Sequence, residues 1–347
     1  MLSRRRFLQT GVGAAASICL PSAPSLALED VVLSQPLKAG LDGTQYARYA
    51  ARGPYSLPGD PLILSMPEFP HGLFAFSPIS NDPLPVLLFS STGLMAPSVY
   101  FRLIRHWASH GFFVVAPIHN DAYRNDVFRI EAYASDKTSS RLADLAGDHT
   151  LWIDRVDAMR VALNKIEAIS AAANVSLLGT NTLVVGHGFG AQTAALLGGA
   201  GYAYTSNGKP LVDARIFASL MISPPMPGQM GLSPQAISQI DVPSMLVTGD
   251  QDTGPLPGSD SRYSEFYQVL HASPRHRAIV RNQSFLLPTG AGNSTSSKQA
   301  LAFEDMRAAT TAFLYAYGKE DESAYTDMTS GIFRRFTDLR LTIDTAT

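Results

Sequence analysis

The stretch that most constrains this chain is Thr182-Leu183-Val184-Val185-Gly186-His187-Gly188-Phe189-Gly190-Ala191-Gln192. An apolar run of β-branched and leucine residues reads as a strand buried on both faces. Glycines at alternate positions then permit a sharp turn, and the alanine-rich run beyond them reads as a helix. A strand that passes straight into a covering helix calls for further strands beside it, because its apolar faces must be buried by parallel neighbours and their crossover helices.

The rest of the chain supplies them. Leu62 to Ser65 and Gly72 to Ser77 read as an edge hairpin with Pro67, Pro70 and His71 in its turn. Pro85 to Ser90 reads as a central parallel strand, Ser98 to His110 as a helix stopped by Gly111, and Phe112 to Pro117 as the next buried strand. After a turn-rich stretch from His119 to Thr138, one long helical pattern runs from about Arg141 to Ala173, with Leu151, Ile153, Val156, Met159, Leu163 and Ile166 on its apolar face. Phe217 to Ile222, Ser244 to Thr248 and Ala278 to Leu287 are the remaining strand candidates, and Lys298 to Gly318 is a covering helix. The expected fold class is α/β, with a mostly parallel central sheet, helices on both faces, and a site at the carboxyl ends of the strands.

The N-terminus predicts export. Ser3-Arg4-Arg5-Arg6-Phe7-Leu8-Gln9 precedes a mildly apolar run from Gly11 to Leu20, and Ser25-Leu26-Ala27 offers a small-residue cleavage site. This is the pattern of a twin-arginine signal over residues 1–27, and its apolar run is about half the roughly 20 residues that a spanning helix needs. A periplasmic or secreted protein is expected, with one domain over residues 28–347 and an irregular lead-in over 28–60. The only cysteine, Cys19, falls inside the signal, so the mature chain has no disulfide, thiolate metal site or cysteine nucleophile. With 27 Lys and Arg against 29 Asp and Glu, the chain has no basic footprint for nucleic acid.

The order of these features resembles the α/β-hydrolase superfamily. Its markers are an apolar strand ending Phe89-Ser90, a strand ending Ala116-Pro117, Arg155-Val156-Asp157 on a helix, the glycine turn, Ala218 to Pro224, and Gly249-x-x-Asp252. Within it the chain is most similar to the dienelactone hydrolase, chlorophyllase and platelet-activating-factor acetylhydrolase group, over about Pro85 to Tyr325. The resemblance implies a carboxylic-ester hydrolase in which a Ser on the G-x-S-x-G turn attacks the acyl carbon, a His removes its proton, an acid orients the His, and backbone N–H groups bind the oxyanion.

Carried over residue by residue, that machinery is incomplete. The nucleophile position is Gly188, which has no side chain, and the base position is Asn293, which has no titratable nitrogen. The acid position is Asp252, with Asp250 as the alternative. The oxyanion turn is Ser90 to Leu94, so Thr92, Gly93 and Leu94 together with Phe189 and His119 would line the cleft. His187 would pack beneath the turn. The expected function is that of an exported pseudohydrolase holding an acyl-like or ester-like small molecule, or a protein partner. The rival expectation is an active ester hydrolase in which Ser91, Ser98 or Ser223 works with His119 or His276. No metal or cofactor motif is present: the chain lacks H-E-x-x-H and G-x-x-x-x-G-K-[ST], and Gly186 to Gly190 reads G-x-G-x-G rather than a dinucleotide fingerprint.

Overall fold

Strands that are apolar on both faces dictate the architecture, and the computed structural model shows how they are covered. It describes residues 43–122, 136–252, 254, 256, 262–272, 274–290 and 297–346, all within the compact unit Leu41–Thr347. The signal region and Asn293 lie outside the described residues.

In chain order, α1 (Thr44–Ala50) precedes the hairpin of β1 (Leu62–Met66) and β2 (Phe69–Phe76). Next come β3 (Leu84–Ser90), a 3-10 turn running into α2 (Phe101–Ser109), and β4 (Phe113–Pro117). Three helices follow, α3 (Asp136–Ala146), α4 (His149–Asn164) and α5 (Ile166–Ala172), and then β5 (Leu177–His187) and α6 (Phe189–Leu197), which flank the glycine turn, or elbow, at Gly188. A short hairpin, β6 (Thr205–Ser206) with β7 (Lys209–Pro210), precedes β8 (Ile216–Ile222), α7 (Pro234–Ile237) and β9 (Ser244–Gly249). The chain continues through α8 (Arg262–Val269), β10 (Arg275–Val280), α9 (Ser297–Gly318), α10 (Glu322–Thr329) and α11 (Ile332–Phe336), and β11 (Leu341–Ala346) closes the far edge.

Among the described residues nine strands form one sheet in the order β1-β2-β4-β3-β5-β8-β9-β10-β11. β4, β3, β5, β8, β9 and β10 are parallel, and the antiparallel pairings lie toward the two edges. This is an α/β-hydrolase fold. One face buries Trp107 of α2 with Phe313 and Leu314 of α9, and the other buries Val156 and Met159 of α4 with Ala191 and Ala194 of α6. Alanines on α6 allow that helix to lie close to the sheet, which is why the elbow runs into an alanine-rich segment.

Several local expectations are corrected. The lead-in is not wholly irregular, because Tyr46, Tyr49 and Ala50 of α1 are buried. Tyr46 donates to Asp305 at 2.6 Å and Tyr49 to Asp327 at 2.6 Å, so tertiary contacts hold a helix too short to persist alone. The hairpin turn is tighter than expected, since Met66 pairs with Phe69 and places Pro70 and His71 inside β2. The long helical pattern is three helices. Asp148 caps α4 by accepting from the Thr150 and Leu151 N–H groups, and Gly147 precedes it.

The last parallel strand lies earlier than its apolar tail suggested. β10 alternates half-buried and buried residues from Arg275, because its outer neighbour is the edge strand β11. The chain leaves the sheet at Arg281, where Asn282 takes a φ of 61°. Residues 281–290 therefore form a loop that returns across the carboxyl end of the sheet, and β11 went unforeseen.

Candidate active site

The carboxyl ends of the parallel strands come level where Ser90 pairs with Gly186, His187 with Ile222, and Gly249 with Val280. Between the first two pairs the chain makes its sharp turn. Gly188 has φ 56° and ψ −114°, its N–H donates to Ile222 O at 3.0 Å, and its carbonyl accepts from the Ala191 and Gln192 N–H groups. The outer glycines are required by contact. A Cβ on Gly186 would lie 1.9 Å from Gly190 O, and one on Gly190 would lie 1.9 Å from Ser90 O.

The central glycine is crowded for a different reason. A Cβ on Gly188 would lie 2.2 Å from Thr92 Oγ1, 2.8 Å from Phe285 Cζ and 3.0 Å from Thr92 Cβ. The space that any side chain at this position would need is therefore already filled. Thr92 Oγ1 also accepts from the Phe189 N–H at 3.3 Å, and that N–H is the donor which follows the elbow residue. One threonine hydroxyl thus fills the space beside Gly188 and also engages the Phe189 N–H. Phe285 arrives on the 281–290 loop, and its ring lies 4.4 Å from the His187 ring, centroid to centroid.

His187 is fully buried beneath the turn, and burial pulls its pKa down to about 3, so the ring is neutral. The Tyr100 hydroxyl is hydrogen-bonded to His187 Nδ1 at 2.7 Å and accepts from the Thr92 N–H at 3.2 Å. The oxyanion turn is held from below by a buried ion pair. Arg155 and Asp121, both about 2% exposed or less, meet at 2.9 Å. Arg155 also donates to Ser91 O, and Asp121 accepts from the Leu94 N–H at 3.1 Å. Leu94 takes a φ of 67°, and Ser91 spends its hydroxyl on Met95 O at 2.6 Å. Thr92, Gly93 and Leu94 are thus gathered with Phe189 around the elbow, Gly93 being packed between Leu142 and Phe189.

His119 lies under this turn and is buried rather than open to a cleft. Its Nε2 is 2.8 Å from Ser90 Oγ, a Ser–His contact that the spacing of the two residues did not disclose. The pair lacks what a catalytic dyad needs. Among the described residues His119 Nδ1 has no partner, so none of their carboxylates orients the ring or stabilises an imidazolium. Burial, reinforced by the Arg155 charge, holds the His119 pKa well below its ordinary value. A general base must become charged during the reaction, and here both effects oppose that.

Asp252 is buried at the end of β9, accepting from the Gly254 N–H at 3.0 Å and the Thr248 hydroxyl at 3.3 Å. Asp250 instead closes a turn by accepting from the Asn282 N–H at 2.6 Å. Ser98 is exposed on the turn before α2 and His271 is also exposed. Ser223, with a φ of 48°, is buried after β8. His276 is buried near the amino end of β10, bonded to Thr345 and Tyr317, which holds it at the opposite end of the sheet from the elbow. Among the described residues no group of three or more His, Cys, Asp or Glu could hold a metal ion, and no helix is long and apolar enough to cross a membrane.

Sequence reasoning missed the parts played by Thr92 and Phe285. The first was signalled by a bulky residue in the oxyanion turn, where the resembled group commonly has a His-Gly pair. The second was hidden because Phe285 had been read as part of a strand.

Residues 62–197 match the family model described as Chlorophyllase, an α/β-hydrolase-type family of ester hydrolases. The matched segment runs from β1 through α6 and so contains the oxyanion turn, the Asp121–Arg155 pair and the elbow. No curated protein matches the chain.

Proposed function

We propose that this α/β-hydrolase-fold chain is an exported pseudohydrolase, which no longer cleaves carboxylic esters and retains the site at the carboxyl end of its sheet to hold a ligand. One observation carries the reading: Thr92 Oγ1 stands 2.2 Å from where a Gly188 Cβ would lie. The side chain that would attack is absent, and its space is filled from the facing turn by a hydroxyl bonded to the Phe189 N–H. Asn293 at the base position adds a second, independent loss, since an amide cannot take up the proton. What is kept supports retention of shape: the buried Asp121–Arg155 pair holds the Ser90–Leu94 turn, and Asp252, the acid candidate, is buried after β9.

Export rests on the paired arginines at Arg4 and Arg5, the short apolar run and the Ala27 site. A fusion to a reporter that is active only after folded export tests it. Replacing Arg4 and Arg5 by Lys is expected to hold the reporter in the cytoplasm, and unchanged export would overturn that part.

The purified mature chain, assayed with p-nitrophenyl acetate and butyrate, is expected to hydrolyse neither faster than buffer. Saturable turnover abolished by changing one serine would overturn the reading and return the chain to active ester hydrolases. Loss of a triad in enzymes of this kind typically costs several orders of magnitude in rate, so the two outcomes are well separated.

A further inference from the structure

The loop that fills the elbow is held there against a cost. Gln283, two residues before Phe285, is fully buried, and among the described residues neither its Oε1 nor its Nε2 has a hydrogen-bond partner. Nearly all buried polar groups in folded proteins are paired, and an unpaired amide favours any conformation that returns it to water. The closed position is also closely fitted. A Cβ on Gly249 would lie 2.0 Å from Gln283 O and 2.3 Å from Gln283 Cβ, just as one on Gly188 would lie 2.8 Å from Phe285 Cζ. The segment is thus seated on two glycines, one at the end of β9 and one at the elbow.

The backbone defines what can move. Asn282, whose N–H is held by Asp250, has a φ of 61°, and asparagine is one of the few residues that visit this region readily. On the other side, Leu287 is buried, and the 3-10 turn Leu287–Thr289 packs against α2 and α9. Gln283 to Leu286 lies between this hinge and this anchor. The Gln251 N–H ties it to the end of the sheet through Gln283 O at 3.2 Å, and Phe285, 6% exposed, is the side chain it presses into the elbow. Withdrawing the segment hydrates the Gln283 amide, clears the space in front of Gly188 and uncovers the His187 ring on which Phe285 lies.

We propose that Gln283 to Leu286 is an autoinhibitory plug, which closes the elbow with Phe285 and swings out on Asn282, so that the site is open only in a minor state. The inference rests on the ligand-holding reading above and gives that site its regulation. Burial of the Phe285 ring favours the closed state, and the unpaired Gln283 amide opposes it. A ligand that needs the seat of the Phe285 ring binds the open state alone, and its affinity is reduced by the fraction of molecules that are open.

Amide hydrogen exchange of the mature chain tests the plug. The Gln251 N–H is expected to exchange through an opening insensitive to low denaturant, whereas Val185 of β5 exchanges only with global unfolding. Gln283→Met keeps the length of the side chain and removes both polar atoms, so it is expected to slow Gln251 exchange about ten-fold. The link to the elbow is read from Thr92→Cys, because the chain beyond Cys19 has no cysteine of its own. Iodoacetamide is expected to label that thiol through the same opening, about ten-fold more slowly when Gln283→Met is added. Gln251 exchange with the denaturant dependence of Val185, or exchange and labelling that Gln283→Met leaves unchanged or speeds, would overturn the proposal. Ester turnover in the assay described above would overturn the pseudohydrolase reading whatever the exchange rates, so the two failures are distinguishable.

Discussion

Thr92 and Gly188 are complementary across the cleft: the threonine hydroxyl occupies the space that any side chain on the glycine would need, 2.2 Å from its Cβ position, and caps the neighbouring Phe189 N–H. The arrangement is neutral and well packed, and it leaves no room for a side chain at Gly188.

Gly188→Ser is therefore expected to destabilise the protein without conferring hydrolysis. The new side chain must adopt a φ of 56° and displace both Thr92 and Phe285. Backbone strain of this kind costs about 1–3 kcal/mol and overpacking a similar amount. Adding Thr92→Gly should recover part of the loss, and chemical denaturation of the two single variants and the double variant measures the coupling. Additive effects would contradict the described contact.

Removing Phe285 has a separable effect. Phe285→Ala leaves a cavity beside the His187 ring and is expected to cost about 3–5 kcal/mol in unfolding free energy. It should also speed exchange of the protected elbow amides. A loss under about 1 kcal/mol would show that the 281–290 loop does not close the elbow.

The Asp121–Arg155 pair is expected to be strongly coupled. Arg155→Met strands a buried carboxylate and releases Ser91 O, at a cost of about 3–5 kcal/mol, whereas Asp121→Asn combined with Arg155→Met should cost less than the single change. Equal losses in the single and double variants would argue against a paired, buried charge.

Acid should unfold this protein earlier than carboxylate titration alone would. Burial depresses His187 to about 3 and His110 and His276 to about 4, against an ordinary 6.5. The unfolded chain binds these protons first. The stabilisation is therefore complete above pH 6.5 and is lost as pH falls toward the folded values, on the order of 3 kcal/mol per group. Asp305, raised by burial, acts in the opposite sense near the carboxylate range. Unfolding free energy measured from pH 7 to pH 4 should fall continuously, and a flat profile would contradict neutral buried histidines.

The fold was legible because β3, β4 and β5 are apolar on both faces, and little but a covered parallel sheet can bury such runs. Gly186 and Gly190 were legible for the same physical reason, a close approach of backbone that no side chain permits. What escaped was set by tertiary contact. α1 exists because Tyr46 and Tyr49 reach Asp305 and Asp327, more than 250 positions away, and no local pattern encodes that. β10 begins at Arg275 because an edge partner lets polar side chains alternate with apolar ones. At the elbow, the absence of a side chain could be read from Gly188 alone, but the filling of that space by Thr92 and Phe285 required the loop after β10 to be placed.

The central claim is that no serine in the folded chain is an activated nucleophile, and a fluorophosphonate probe tests it most directly. Intact-mass analysis of the native mature protein after incubation with the probe is expected to show no adduct beyond that of a heat-denatured control. Stoichiometric labelling of a single serine, at Ser90, Ser91, Ser223 or elsewhere, would contradict the account.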